Sequence, residues 1–310
     1  MLFNTREEII AMTPEWTGER FEDGRPKVAD KYLDALYGMT LEELWKPIFV
    51  KGYESQFIAM KSLHPEFKED GTVNQKLVGR AVTAMYAPVR PDYKEAMNAM
   101  ARAKGLSGTP NQWVIDSLND RDVIVIDMFD KVYKGTFLGG NLTTAIHQKT
   151  GNGGAVIWGG IRDIEQMHRV PDVQVYYRGI DPTPIRDFVM TGMNCPVRLG
   201  DGRDAAICLP GDVVYGCSGG VLFIPPQLVV DVVDGGAKTQ VKDLFGFEMI
   251  SQNKFTTAQI DKKTWSEEML DLLMEFIRTD ERAAAYRDID WSKEYDLARN
   301  GDPTDTQSAL

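Results

Sequence analysis

An arginine and an aspartate stand side by side near the middle of the chain, where their chemistry suits an organic acid. Arg162 and Asp163 follow the segment 159–161, and an earlier glycine pair, Gly139 and Gly140, precedes them. The planar guanidinium group of arginine can bind a carboxylate through two parallel hydrogen bonds. Oppositely charged neighbours also occur in loops that are merely solvated. The pair therefore indicates either a site for a small organic acid or a solvated loop.

The residues before this pair predict a turn followed by a helix. Gly139 and Gly140 can adopt backbone angles that other residues avoid, which would expose N–H groups to a ligand. Asn141 is the predicted N-cap of the helix, because asparagine is favoured there and apolar residues recur behind it at helical spacing. Those apolar residues are Leu142, Ala145 and Ile146.

A glycine-rich segment, 150–154, should end that helix and lead into a buried strand. Residues 155–158 form a short apolar run between glycines, which is typical of a parallel strand buried on both faces. Gly159 and Gly160 are predicted to end it. Ligands of open α/β sheets bind at the carboxyl ends of the strands, so Arg162 and Asp163 should lie at a ligand-binding edge.

These segments resemble the signature of a known protein family. That signature is a Gly-acid-x-Leu loop followed by Gly-x-x-Arg-Asp, which residues 139–142 and 159–163 resemble; residues 77–83 and 210–225 resemble two further family blocks. The family includes the regulator of ribonuclease E activity A and the class II, metal-dependent 4-hydroxy-4-methyl-2-oxoglutarate aldolases. The resemblance covers roughly residues 75–235.

The resemblance implies a metal-dependent lyase that acts on a small 2-oxo acid, by retro-aldol cleavage or oxaloacetate-type decarboxylation through a pyruvate enolate. It implies that Arg162 and the loop of Gly139, Gly140, Asn141 and Leu142 bind substrate, and that Asp163 ligates Mg²⁺ or Mn²⁺, with Arg162 and Asp163 as the catalytic pair. It also implies a compact α/β/α core related to phosphohistidine swivelling domains, assembled as a trimer or hexamer.

The chain departs from the family pattern at the loop acid. Depending on whether one residue is inserted near Asn152, the acid aligns with Gly140 or with Asn141, and neither is a carboxylate. Trp158 stands where relatives often carry aspartate, and residues 217–219 replace a segment that is usually acidic. The alternative is therefore a non-catalytic regulator or binding protein that keeps the ligand pocket.

A third interpretation is a methyltransferase that uses S-adenosylmethionine, with residues 151–154 as a nucleotide loop. That segment is predicted to lie after a helix and before a strand, the reverse of the order that such loops need.

Other residues are weaker candidates for chemistry. His147 and His168 lie near the Arg-Asp pair and could act as general bases. Asp127 and Asp130 follow an apolar run and are either turn formers or cation ligands. His64 lies beside a proline in a loop context, and we interpret it as structural.

Composition narrows the class of protein. The chain has 310 residues, 43% hydrophobic content and a formal net charge of −11, which argues against nonspecific binding of nucleic acid. Three cysteines are too few for a disulfide framework, so a cytoplasmic location is expected. No apolar run is long enough to predict a membrane span.

We predict three regions, a mixed α/β core between two helical extensions. Residues 1–74 form an N-terminal helical arm and loop, 75–235 the α/β core, and 236–310 a C-terminal helical extension with a frayed end. Capping boxes at residues 5–8 and 40–43 predict two helices in the arm. Its loop 16–26 either reaches over a site or a neighbouring subunit, or pins the arm to its own domain. Further strands are predicted over 77–84, 122–127 and 173–179, with a β layer over 197–225. Three further helices are predicted, one that starts at residue 91, one over 111–118 and one over 266–278.

Overall fold

A computed structural model describes residues 4–73, 75–151, 153–202 and 204–301. Asn152 and the end of the chain beyond residue 301, both part of the predictions above, lie outside these residues. The chain divides into two compact units, Met1–Asp231 and Val232–Leu310.

Most of the strands in the described residues form one sheet in the first unit. The strands are β1 (Phe57–Ile58), β2 (Lys61–Ser62), β3 (Leu77–Pro88), β4 (Asp122–Leu138), β5 (Gly154–Ile161), β6 (Gln174–Ile180), β7 (Phe188–Met193), β8 (Val197–Leu199), β9 (Ala206–Cys208), β10 (Val213–Cys217) and β11 (Gly220–Ile224). The sheet order is β1-β11-β10-β3-β4-β5-β6-β2, with β7 also paired to β3, while β8 and β9 pair separately. The central strands β3, β4, β5 and β6 are parallel.

Both units contain α-helices. They are α1 (Arg6–Met12), α2 (Asp30–Tyr37), α3 (Leu41–Phe49), α4 (Pro91–Ala103), α5 (Pro110–Asp116), α6 (Gly140–Thr150), α7 (Ile164–Met167), α8 (Val229–Ser251), α9 (Thr257–Ile260), α10 (Glu267–Thr279) and α11 (Ser292–Asn300). Short 3₁₀ helices cover Pro226–Leu228 and Glu281–Tyr286. The predicted mixed α/β core with helical extensions is confirmed. Among the described residues, no helix is both long and apolar enough to cross a membrane.

Alternating residues of the parallel strands bury two apolar faces. Ile124 and Ile157 belong to the cluster that also contains Ile146 of α6 and Met167 of α7. Val125 and Val156 point to the opposite face, where they join the cluster that includes β8 and β9. Every residue of β5 is buried, as expected for a parallel strand covered on both sides. Helices α6 and α7 are thus held against the sheet by apolar packing.

The N-terminal arm is part of the first unit. Arg25 and Asp122 have fully buried side chains and form a two-pronged ion pair, with N···O distances of 2.9 and 3.0 Å. Arg80 on β3 donates to the carbonyl of Val28 at 2.8 Å, and the Arg25 guanidinium lies 4.7 Å from the Phe21 ring centroid. The loop 16–26 therefore pins the arm to its own unit, and the boundary predicted after residue 74 does not separate two compact units.

Two strands near the suspected site extend further than predicted. Gly159 and Gly160 do not end β5, which continues to Ile161. At Gly160 a side-chain Cβ would lie 2.8 Å from the Val132 carbonyl oxygen, so glycine permits close strand pairing there. The strand predicted over 122–127 also continues, as β4, because its pairing with β5 resumes after an irregular segment.

The amphipathic helix predicted over residues 266–278 is present as α10, which packs on an apolar cluster within the second unit. Ser266 caps α10 by accepting from the Met269 amide. The buried face of α10 is Met269, Leu270, Leu273, Phe276 and Ile277, which pack with Phe245 and Trp265.

Candidate functional site

The candidate site lies where β4 and β5 end beside each other. Leu138, the last residue of β4, pairs with Ile161 of β5, and its carbonyl accepts from the Arg162 backbone N–H at 3.0 Å. Parallel pairing therefore brings the segment that starts at Gly139 next to Arg162. The two ends of the predicted motif meet, although more than twenty residues separate them in sequence.

The Asp163 carboxylate lies against the start of α6. Its Oδ2 accepts weakly from the Gly140 N–H at 3.4 Å and lies 3.7 Å from Arg162 Nε. Asp163 has a left-handed backbone, with φ 57° and ψ 39°, a conformation that aspartate tolerates better than most residues. This turn directs the carboxylate back toward β4 while leaving 33% of the side chain exposed.

Position 139 requires glycine because there is no room for a side chain, and not because the backbone angles are unusual. Gly139 has φ −146° and ψ −172°, which is extended backbone open to any residue. A Cβ at this position would lie only 2.4 Å from Asp163 Oδ2. Gly139 is also the N-cap of α6, so the prediction that Asn141 caps this helix is wrong.

Two backbone amides at the start of α6 are available to a ligand. The first intrahelical bonds are made by Thr143, whose N–H and hydroxyl both donate to the Gly139 carbonyl, at 3.0 and 2.9 Å. The N–H groups of Asn141 and Leu142 precede these bonds and so have no partner within the helix. Such amides, at the positive end of a helix dipole, favour anionic ligands.

A cavity of about 140 Å³ opens between these elements. The predicted residues that line it are Gly139, Asn141, Leu142, Arg162 and Asp163. The other lining residues were not predicted from the sequence; they are Asn111, Thr136, Phe137, Leu138, Gln166, Pro184 and Ile185. Five of the six predicted site residues thus border one small cavity, and Gly140 is not among its described lining residues.

Some of the missed residues hold the cavity wall in place. Buried Asn111 donates to the Phe137 carbonyl at 3.1 Å, which fastens α5 to the end of β4. The Thr136 hydroxyl donates to the Thr183 carbonyl and so positions the turn that contains Pro184. The local sequence does not indicate that these residues belong to the site, because they reach it only through tertiary packing. For Gln166 one feature of the sequence could have indicated it, namely its position three residues after Asp163, which would place both on the same side of a helix.

The histidines and upstream aspartates do not border this cavity. His147 is half-buried on α6, and His168 lies at the end of α7 with its ring edge-on to His64, at a centroid distance of 4.7 Å. Asp127 precedes the irregular segment of β4 and accepts from the Phe129 N–H, while Asp130 pairs with Arg178 at 3.0 Å. Burial raises the pKa of Asp127. Neither aspartate is at the end of β4, contrary to prediction.

Comparison with known proteins bears on the family to which this chain belongs. A family profile described as RraA-like (aldolase/RraA) matches residues 33–223, more than half of the chain. The chain belongs to the RraA-like family. The predicted family relationship is thereby confirmed, over a span that begins well before residue 75.

Solved structures show the same fold. An uncharacterized protein from Pseudomonas syringae pv. tomato is 20% identical, with 79% of this chain and 98% of that chain covered and a TM-score of 0.56. RraAS2 of Streptomyces coelicolor, an unusual member of the RNase ES inhibitor RraA family, is 19% identical, with 75% and 99% covered and a TM-score of 0.54. No curated protein matches the sequence significantly.

For an RraA-like protein, this chain offers few acidic ligands at its cavity. Among the described lining residues, Asp163 is the one carboxylate, and no group of three or more His, Cys, Asp or Glu residues in the described part of the chain suits a metal ion. Within the described residues, the hydrogen bond and the ion pair of Asp163 both involve Oδ2, and Oδ1 has neither. One open carboxylate fits an ion that keeps most of its water shell, such as Mg²⁺.

Proposed function

We propose that this RraA-like protein is a lyase that converts a small 2-oxo acid to pyruvate through an enolate. The observation that carries the proposal is the meeting of Arg162, Asp163 and the α6 N-terminus around one small cavity. Its volume, about 140 Å³, is about five times the volume that one molecule occupies in liquid water. A site of this size suits the oxo-acid end of a small substrate.

In the proposed site, Arg162 and the α6 amides bind the oxo-acid end. The Arg162 side chain is 39% exposed, and its one ion pair within the described residues is the long contact to Asp163 at 3.7 Å. Its guanidinium can therefore turn its two parallel donors toward a substrate carboxylate. The open amides of Asn141 and Leu142 then face the same anionic group. Together they would orient the bond to be broken relative to the 2-oxo group.

Asp163 would hold a divalent cation, Mg²⁺ or Mn²⁺, through its open oxygen. Such a cation, when bound, supplies Lewis-acid stabilisation of negative charge that develops on a carbonyl oxygen. The Gly140 N–H and Arg162 steady the other carboxylate oxygen. The role of Asp163 is thus to place a positive charge beside the 2-oxo group.

The residues of the cavity favour decarboxylation over retro-aldol cleavage. Loss of CO₂ from oxaloacetate breaks a carbon–carbon bond and leaves the electron pair in the pyruvate enolate, which then takes a proton. Retro-aldol cleavage must first remove a proton from the substrate hydroxyl, and this requires a base. With Gly140 and Asn141 where the family carries its acid, oxaloacetate decarboxylation is the less demanding reaction.

A non-catalytic regulator is the second candidate, and the sparse acidic ligands of the site favour it. Such a protein would keep the anion-binding loop and Arg162 but lack turnover. The net charge of −11 would suit a basic protein partner.

Oxaloacetate decarboxylation separates these functions. We expect release of pyruvate in Mg²⁺ at a rate above that of Mg²⁺ alone, and loss of this excess rate in EDTA. A matched blank contains the Asp163→Asn protein, so that decarboxylation by free metal is subtracted. A wild-type rate equal to the blank would leave the regulator as the better account.

A further inference from the structure

A glutamine of the candidate site lies against Gly140, one of the two loop positions that align with the acid of family members. Gln166 is on α7, and its backbone N–H donates to the Asp163 carbonyl at 2.9 Å. This bond fixes Gln166 one turn after Asp163. Asp163 and Gln166 both line the same cavity.

The carboxamide of Gln166 lies over Gly140. A Cβ built on Gly140 would be 2.5 Å from Gln166 Oε1 and 2.9 Å from its Cβ. Both distances are shorter than real Cβ atoms show, so a side chain at 140 and this Gln166 arrangement exclude each other. Gly140 and Gln166 therefore act as a pair: the missing side chain at 140 leaves the space that the carboxamide uses.

The Gln166 carboxamide is free to bind. Within the described part of the chain, its oxygen and nitrogen make no hydrogen bond, and the residue is exposed. An amide offers two donors and one acceptor and stays neutral at every physiological pH. It can therefore donate a hydrogen bond to a carbonyl or carboxylate oxygen beside Arg162, but it cannot act as a general base.

We infer that Gln166 is a specificity-determining residue, which binds the substrate's oxo-acid group from the side of Gly140 and limits the size of the substituent beside it. This inference rests on the proposed function, because it assumes that the cavity binds a small 2-oxo acid. The carboxamide supplies a hydrogen bond and also fills space. Its removal has two separable effects, weaker binding of the smallest ligands and better tolerance of longer ones.

Calorimetry with oxalate in Mg²⁺ tests the hydrogen bond. Gln166→Ala should bind oxalate about threefold to tenfold more weakly than wild type, the range expected for one neutral hydrogen bond. Gln148→Ala is the matched control, since it removes the same carboxamide from an exposed position on α6. Gln166→Asn, which keeps the amide but draws it back by one methylene, should also weaken binding.

Comparison of pyruvate with 2-oxobutyrate tests the size limit. In Gln166→Ala, affinity for 2-oxobutyrate relative to pyruvate should rise above the wild-type ratio, whereas a general loss of structure would weaken both alike. Wild type that binds these ligands and a Gln166→Ala protein that matches it in both measurements would overturn the inference and leave the proposed function standing. Wild type that binds none of them would overturn both.

Discussion

The pair Gly139 and Asp163 shows how one small residue determines where a charged group can lie. The carboxylate occupies the space that a Cβ at 139 would take, at 2.4 Å. The sequence predicted a glycine loop beside an Arg-Asp pair, but assigned the glycines to unusual backbone angles. Their contact depends on the pairing of β4 with β5, which no local pattern reveals.

Gly139→Ala should therefore displace the Asp163 carboxylate while the fold persists. A methyl group at 139 fits the extended backbone but not the space, so the Asp163 side chain must rotate away. We expect weaker Mg²⁺ binding and slower decarboxylation, measured by calorimetry and pyruvate release, with an unchanged circular dichroism spectrum. Gly219→Ala is the control, because its Cβ would meet only one atom, at 3.9 Å. Equal Mg²⁺ affinity in Gly139→Ala and wild type would contradict this role.

Among the secondary-structure elements, β4 and the N-terminal arm depend on one buried ion pair. Arg25 and Asp122 are each fully buried, and Asp23 also pairs with Arg25 at 2.7 Å. Burial by itself lowers the pKa of Arg25, but the coulombic attraction and hydrogen bonds of Asp122 and Asp23 together outweigh it and raise the pKa. Removal of the arginine would leave Asp122 charged and without its cation inside the first unit.

Arg25→Gln should lower the free energy of unfolding by about 3–5 kcal/mol, the usual effect of breaking a buried pair. Urea denaturation measures this change. Arg90→Gln is the control, because Arg90 and Asp92 form an ion pair on the surface and its loss should change stability little. A similar small effect of both substitutions would show that the arm is not held by Arg25.

The turn before β10 contains a buried acid whose burial makes stability depend on pH. Asp212 is 4% exposed, and desolvation raises its pKa to about 7, although its Oδ2 accepts from the Leu209 N–H at 2.8 Å. The native state therefore keeps a proton that the unfolded chain loses near pH 4. Stability from this group is present at low pH and is lost as pH rises toward about 7.

Asp212→Asn should remove that dependence, since asparagine keeps the acceptor but does not ionise. The gain in unfolding free energy over wild type should grow between about pH 4 and pH 7, by at most about 1.4 kcal/mol per unit. Urea titrations across this range measure it, with Asp116→Asn on the exposed side of α5 as the control. A difference that is constant with pH would contradict the raised pKa.

Local sequence patterns predicted many of the helices and strands. They predicted fewer of the contacts between residues that are distant in sequence. Both capping boxes form as expected, at Thr5 and Thr40, because they depend on neighbouring residues only. The short strands β1 and β2 were missed, since two residues carry no periodicity. The link from Arg25 to Asp122 was also missed, because it joins positions 97 apart in sequence. Arg162 and Asp163 were found because they follow a predicted buried strand and match the family's Arg-Asp signature, whereas Asn111 and Gln166 have no such signature.

For the whole molecule, we expect a trimer or hexamer. The family resemblance implies a ring assembly, and the described surface includes exposed large apolar side chains such as Phe67, Tyr133 and Ile180. Multi-angle light scattering at micromolar concentration should give three or six times the mass of one chain. A monomeric mass would contradict this expectation.

Calorimetry with oxalate tests whether Asp163 and Arg162 form a metal-assisted site for a 2-oxo acid. Oxalate mimics the pyruvate enolate, so wild type should bind it in Mg²⁺ and lose most of that affinity in EDTA. Asp163→Asn should bind oxalate equally weakly in both conditions, while Asp172→Asn, an exposed aspartate with a similar left-handed backbone, should behave as wild type. Wild-type protein that binds neither Mg²⁺ nor oxalate would contradict the account.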